Sequence, residues 1–184
     1  MGIDYSTIAA DERVGTRIGQ LYMKASPVVT DHARIAYADF ALQVERQFRR
    51  MTETIRVEFQ DDDPYRDASE MMADVRLNGR LKIYRTTEDQ RHPVLSLDQN
   101  DRFRAVHDFY GHCRSNRGFD RHGEEAAWVC HSQMFTGLGR LAMTSETRGQ
   151  NSAFIWINGG REFPPQKAIL LPPWVAELPK GLVP

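Results

Sequence analysis

Apolar residues recur at helical spacing through most of this 184-residue chain, and only two short stretches alternate as strands do. That pattern restricts the fold to a mostly helical α+β domain with a small two-stranded β element. The clearest helix starts at Thr30 or Asp31, either of which can cap it. Ile35, Ala38, Leu42, Val44 and Phe48 supply its apolar face through about Met51. Ile55 to Phe59 and Leu81 to Tyr84 are the strands. Asp61-Asp62-Asp63-Pro64 reads as a solvated turn, residues 67–76 as a helix with Met71, Met72 and Val75 inward, and Asn78-Gly79 as a turn signal.

Beyond the second strand, residues 88–100 read as a polar loop, Asp101 to about His112 as a helix, and Glu124 to Met143 as one longer helix. From Thr144 the sequence is loop-like, with Phe154 to Ile157 as a short strand or turn and Pro165 to Leu171 as a last short helix before a proline-rich tail. Residues 1–30, interrupted by Gly15 and Gly19, read as a loosely docked N-terminal arm or short helix on a single domain of residues 31–184.

Bulk properties exclude several functions. At 41% hydrophobic and 27% charged residues the chain can bury a sizeable core. A net charge of -1 gives no overall basic field for nucleic acid. No apolar run approaches the roughly 18 residues of a membrane helix, and no secretory leader is recognisable. Met1 to Ser6 fits the loose N-myristoylation pattern, but no polybasic patch follows to make an anchor. Two cysteines, Cys113 and Cys130, are too few for a disulfide scaffold and point to a reducing compartment, so a cytoplasmic protein is expected.

The chemistry is concentrated between His107 and Glu146. Four of the six histidines lie there (His107, His112, His122 and His131), with Asp108, Asp120, Glu124, Glu125 and Glu146 among them. Neutral imidazole and carboxylate are the standard ligands of zinc, iron and manganese. His107 and His112 are five apart, which on a regular α-helix turns them about 140° from each other. Gly111 lets the helix end or loosen there and bring both imidazoles to one point. Asp108, four before His112, is placed to orient it. On the next helix Glu124, Trp128, His131 and Phe135 form one stripe, so His131 faces inward at the border of core and pocket. Glu124 in that stripe suits a cap at the helix start, while Glu125 is an alternative ligand. Thr144 to Ser152 holds no large apolar side chain and reads as a surface loop or a site wall, with Arg148, Gln150 and Asn151 available to a small polar substrate. His32 reads as structural or exposed.

His107-Asp108-Phe109-Tyr110-Gly111-His112 is similar to the iron signature of the pterin-dependent aromatic amino acid hydroxylases, a His-Asp-x-x-Gly-His stretch in bacterial members. The resemblance implies Fe(II) on both histidines and a third ligand at Glu146, in Thr144-Ser145-Glu146, where the family has Thr-x-Glu. It covers about forty residues. The family's pterin-binding segment and proline-rich stretch have no counterpart, since Cys113 to Arg117 stands there, so the resemblance does not carry pterin with it. The wider pattern also resembles small domains of phage and mobile-element proteins. HD phosphohydrolases are a second resemblance, with His107-Asp108 as the pair, His32 before it and Asp120 after it.

The expectation is a mononuclear Fe(II) oxygenase or hydroxylase with His107, His112 and Glu146 as ligands, zinc or manganese being alternative metals. Glu125 and His131 would serve as acid–base or ligand-supporting groups, and Asp108 would orient a histidine. The alternatives are a metal-dependent hydrolase of a nucleotide or phosphoester and a non-enzymatic binding protein, such as a phage inhibitor.

Overall fold

A computed structural model describes residues 2–179 and shows the mostly helical α+β architecture. The helices are α1 (Glu12–Lys24), α2 (Asp31–Thr52), α3 (Ala68–Asn78), α4 (Leu97–His107), α5 (Arg121–Ser132) and α6 (Gly137–Thr144). The strands are β1 (Arg56–Gln60) and β2 (Arg80–Tyr84). Met1, where the lipidation pattern begins, and residues 180–184 of the tail lie outside the described residues. No described helix is long and apolar enough to cross a membrane.

The central helix is α2, and its start is the one the sequence predicts: Thr30 Oγ1 accepts the Ala33 N–H at 3.1 Å. Its buried face is different. Ala33, Ala36, Tyr37, Phe40, Val44, Gln47 and Met51 face α4 and α6, while Ile35 and Leu42 are 61% and 60% exposed. The buried set follows the three–four spacing along the whole helix, whereas the expected set drifts off it between Leu42 and Val44.

β1 and β2 pair in parallel, from Arg56 opposite Arg80 to Gln60 opposite Tyr84, with α3 as the crossover. Asp67 caps α3 by accepting the Glu70 N–H at 2.9 Å. Gly79, at φ 58°, ends the helix in the left-handed region, so Asn78-Gly79 is a helix stop and not a hairpin turn. Asp74 ties the unit together through Arg80 Nε at 3.0 Å and the Tyr65 hydroxyl at 2.9 Å. The Arg80 guanidinium holds its carboxyl down at about 2.

Three further expectations are corrected. The helix expected over Glu124 to Met143 is broken between α5 and α6, where Gly137 takes φ 55°. Residues 165–171 form no helix. The supposed loop from Thr144 is helical: α6 widens into a π segment (Ser145–Gly149), a short α turn (Gln150–Ser152) and a second π segment (Ala153–Ile157). Its polar residues are interior ones. Ser145, Glu146, Thr147, Gln150 and Ser152 are all buried, and the Ser145 and Thr147 hydroxyls donate back to Leu141 O (3.1 Å) and Met143 O (2.8 Å).

The N-terminal arm contains α1, which is firmly docked. Ile18 and Tyr22 are fully buried, and the helix lies against residues 150–157. Gly15 and Gly19 make that approach: a Cβ on Gly15 would sit 2.1 Å from Trp156 Nε1, and one on Gly19 would sit 2.7 Å from Ser152 O. Lys167 Nζ then closes the end of α1 by donating to Tyr22 O (3.0 Å), Met23 O (2.9 Å) and Ala25 O (2.9 Å).

Candidate metal centre

α4 does not stop at His107. It widens into a π segment over Asp108–Cys113, where the ladder runs from residue i to i+5. Residues five apart therefore come nearly into line, and the His107 and His112 rings meet with centroids 5.2 Å apart. Gly111 contributes by its size, since its φ is ordinary. A Cβ there would meet Ala127 Cβ, Ala127 O and His107 Cε1, each at 3.2 Å, so only glycine lets α5 press this closely on the widened turn.

α5 supplies the third group. His107, His112 and Glu124 each offer one ligand atom, and these atoms lie within 4.8 Å of one another. Glu124 Oε1 is 3.6 Å from His112 Nε2, and the other oxygen, Oε2, accepts a hydrogen bond from Asn151 Nδ2. His112 Nδ1 lies 3.1 Å from Arg117 O. A carbonyl can only accept, so Nδ1 carries the proton and Nε2, the atom facing Glu124, is left with its lone pair. His107 Nε2 is buried and has no hydrogen-bond partner. His92 Nε2 shares that status but has Glu146 Oε1 3.3 Å away.

Burial sets the charge state of the cluster. It holds His112 down at about 4 and His107 well below the usual imidazole range, so both rings are neutral at pH 7. Burial, with Asp108 and Asp120 nearby, pushes Glu124 up to about 8. Burial also raises Asp108 to about 7. Two bare imidazole nitrogens beside a carboxyl kept from ionising are the donor set a divalent metal would use.

The structure redistributes the expected site residues. Glu146 is not brought to the histidines: its carboxylate accepts from the Tyr37 hydroxyl and lies against His92, because that side of the helix faces α2. Glu125 is not a free acid–base group but pairs with Arg148 through both oxygens. Arg148 is fully engaged, since it also donates to Val175 O at 2.9 Å and stacks 4.0 Å over Trp128. Gln150 is buried and donates to Gln166 Oε1 at 3.0 Å, away from any substrate. Asn151 is in the site as the support of Glu124. Asp108 does not orient His112, whose Nδ1 meets the Arg117 carbonyl, but lies close enough to Glu124 to raise it. His131 touches His107: its Nδ1 is 3.1 Å from His107 Nδ1, and its Nε2 is 2.7 Å from Gln47 Oε1.

The histidine–aspartate arrangement is not assembled, since His32 is exposed on α2 and Asp120 caps α5 through the His122 and Gly123 N–H groups. His122 Nδ1 accepts the Ala10 N–H at 3.1 Å. Sequence reasoning missed Gln47, His92 and the Arg117 carbonyl. Gln47 had a signal, a polar residue in step with Tyr37, Phe40 and Val44, whereas a backbone carbonyl leaves none.

A shallow cleft of about 20 Å³, room for little more than one water, lies between α1 and the widened helix. Glu124 and Asn151 are in its lining, with Val14, Ile18, Ile155 and Trp156 as apolar wall. The chain matches no protein-family model, no curated protein and no solved structure.

Proposed function

We propose that the protein is a metal-dependent enzyme whose centre is His107, His112 and Glu124, with Fe(II) as the metal and hydroxylation of a small polar substrate as the reaction. The observation that carries the reading is the bare, buried and unpartnered Nε2 of His107 beside the bare Nε2 of His112 and the Glu124 carboxylate. Such a set on one side of an ion leaves open positions, and Fe(II) there supplies dioxygen chemistry. The protein's own residues do the rest. Arg117 O and Asn151 hold His112 and Glu124 in place, and Glu124 lines the cleft beside Trp156.

Metal-assisted hydrolysis is the second reading, favoured by Asp108. A buried carboxyl raised to about 7 beside the centre suits a proton acceptor at neutral pH.

Elemental analysis of anaerobically purified protein tests the proposal. About one iron per chain, lost in both His112→Ala and Glu124→Ala, is expected. Oxygen-independent activity with zinc or manganese would favour hydrolysis. Protein that takes up no metal after reconstitution would remove both enzyme readings and leave a binding protein.

A further inference from the structure

We infer that Gln47 and His131 are positioning residues that decide which nitrogen His107 presents to the metal. The inference rests on the metal reading above and adds residues from α2 and α5 that do not themselves reach the centre.

The relay can be followed proton by proton. Gln47 is buried on α2, and its Nε2 donates to Met134 O at 3.4 Å. That contact fixes which way the amide faces and turns Oε1 to His131 Nε2 at 2.7 Å. An amide oxygen only accepts, so the proton of His131 sits on Nε2. His131 is fully buried, its two nitrogens meet an amide oxygen and another imidazole, and an uncharged ring in such surroundings carries one proton, so its Nδ1 is bare. His107 Nδ1 faces that bare nitrogen at 3.1 Å and must donate to it. The single proton of His107 is thereby placed on Nδ1, and Nε2 keeps its lone pair. The other tautomer would set two lone pairs against each other across 3.1 Å and would aim an N–H at the space shared with His112 and Glu124.

His112 reaches the same state by a different route, through the carbonyl of Arg117. A backbone acceptor needs no side chain to maintain it. His107 depends on two side chains, and Gln47 is the one whose replacement leaves every imidazole in place.

The test uses the full chain. Ring-nitrogen NMR on metal-free wild type should show Nδ1 protonated and Nε2 bare for His107, and the reverse for His131. In Gln47→Leu the His107 ring should become a mixture of tautomers, and Zn(II) affinity measured by chelator competition should fall about 10–100-fold. Gln47→Glu keeps an acceptor facing His131 and should restore both readouts. His107 with a protonated Nε2 in wild type overturns the inference, even if Gln47→Leu fails to fold. Wild type that binds metal, loses it in His112→Ala and keeps its affinity within about twofold in Gln47→Leu overturns the relay alone. Wild type that binds no metal overturns both readings.

Discussion

Two buried polar clusters flank α2 and α5, each with a glutamate and histidine, and they are finished to different degrees. Around Glu146, the Tyr37 hydroxyl donates to the carboxylate. His92 Nδ1 accepts the Val94 and Leu95 N–H groups at 3.2 and 3.1 Å, which leaves its proton on Nε2, 3.3 Å from Glu146 Oε1. The carboxylate there faces one hydroxyl donor and one imidazole N–H. Around Glu124, two imidazoles have their protons directed outward, to Arg117 O and His131, and their lone pairs directed inward at a carboxylate. The first arrangement supplies its carboxylate with donors from within the fold, while the second gathers lone pairs around a carboxyl that burial keeps from ionising. Counting ionisable residues does not separate the two; following each proton does.

Glutamate truncation should break the comparison most sharply. Glu146→Ala leaves the Tyr37 hydroxyl and the His92 N–H without their carboxylate and should cost about 3–5 kcal/mol of stability, read by denaturant melts, with metal content unchanged. Glu124→Ala should abolish stoichiometric metal and leave the metal-free protein as stable as wild type or more so, because it removes a carboxyl that burial already disfavours as an ion. Reversed outcomes would exchange the roles of the two clusters.

A smaller effect is expected at Gly111. Gly111→Ala should cost about 1–3 kcal/mol, since Ala127 and the His107 ring must yield a few tenths of an ångström. If the displaced ring is a ligand, metal affinity falls with it; a variant that loses stability and keeps full affinity would uncouple the π turn from the centre.

The pH profile of the metal-free protein should show the mildest effect. His107 and His112 are lowered in the fold, so below about 6.5 the unfolded chain binds their protons more readily and stability rises with pH. Glu124 and Asp108 are raised to about 8 and about 7, so the folded state holds the extra protons and stability falls as pH rises toward 8. Above 6.5 only the carboxyl effect remains. The melting temperature of metal-free protein should therefore decline between pH 6.5 and 8, and bound metal should remove that decline. A flat profile without metal would mean that neither carboxyl is buried as described.

Local signals in the sequence were dependable. Thr30, the Asp67–Gly79 helix and both strands stand where side-chain and turn chemistry place them, because caps and alternation act over a few residues. Which face of a helix is buried depends on partners far away in the chain, so spacing alone points to Ile35 and Leu42 as core and gives no role to Gln47. The same limit governs which carboxyl meets the two histidines. Glu146 has the right distance in sequence from the histidines, yet its helix turns it to α2, while Glu124 sits on the stripe with Trp128 and His131. The run from Thr144 to Ser152 looked like a loop because its polar atoms are satisfied by partners from α1, α2, α5 and residues 166–171 that no local window contains.

Lys167 gives α1 a consequence for how the two ends of the chain hold together. With three carbonyls at the end of that helix gripped by one ammonium, and two glycines seated against Trp156 and Ser152, α1 and residues 150–157 are fastened as one unit. A helix near the start of the chain is thus clasped by a side chain more than 140 residues further on, and neither can loosen without the other.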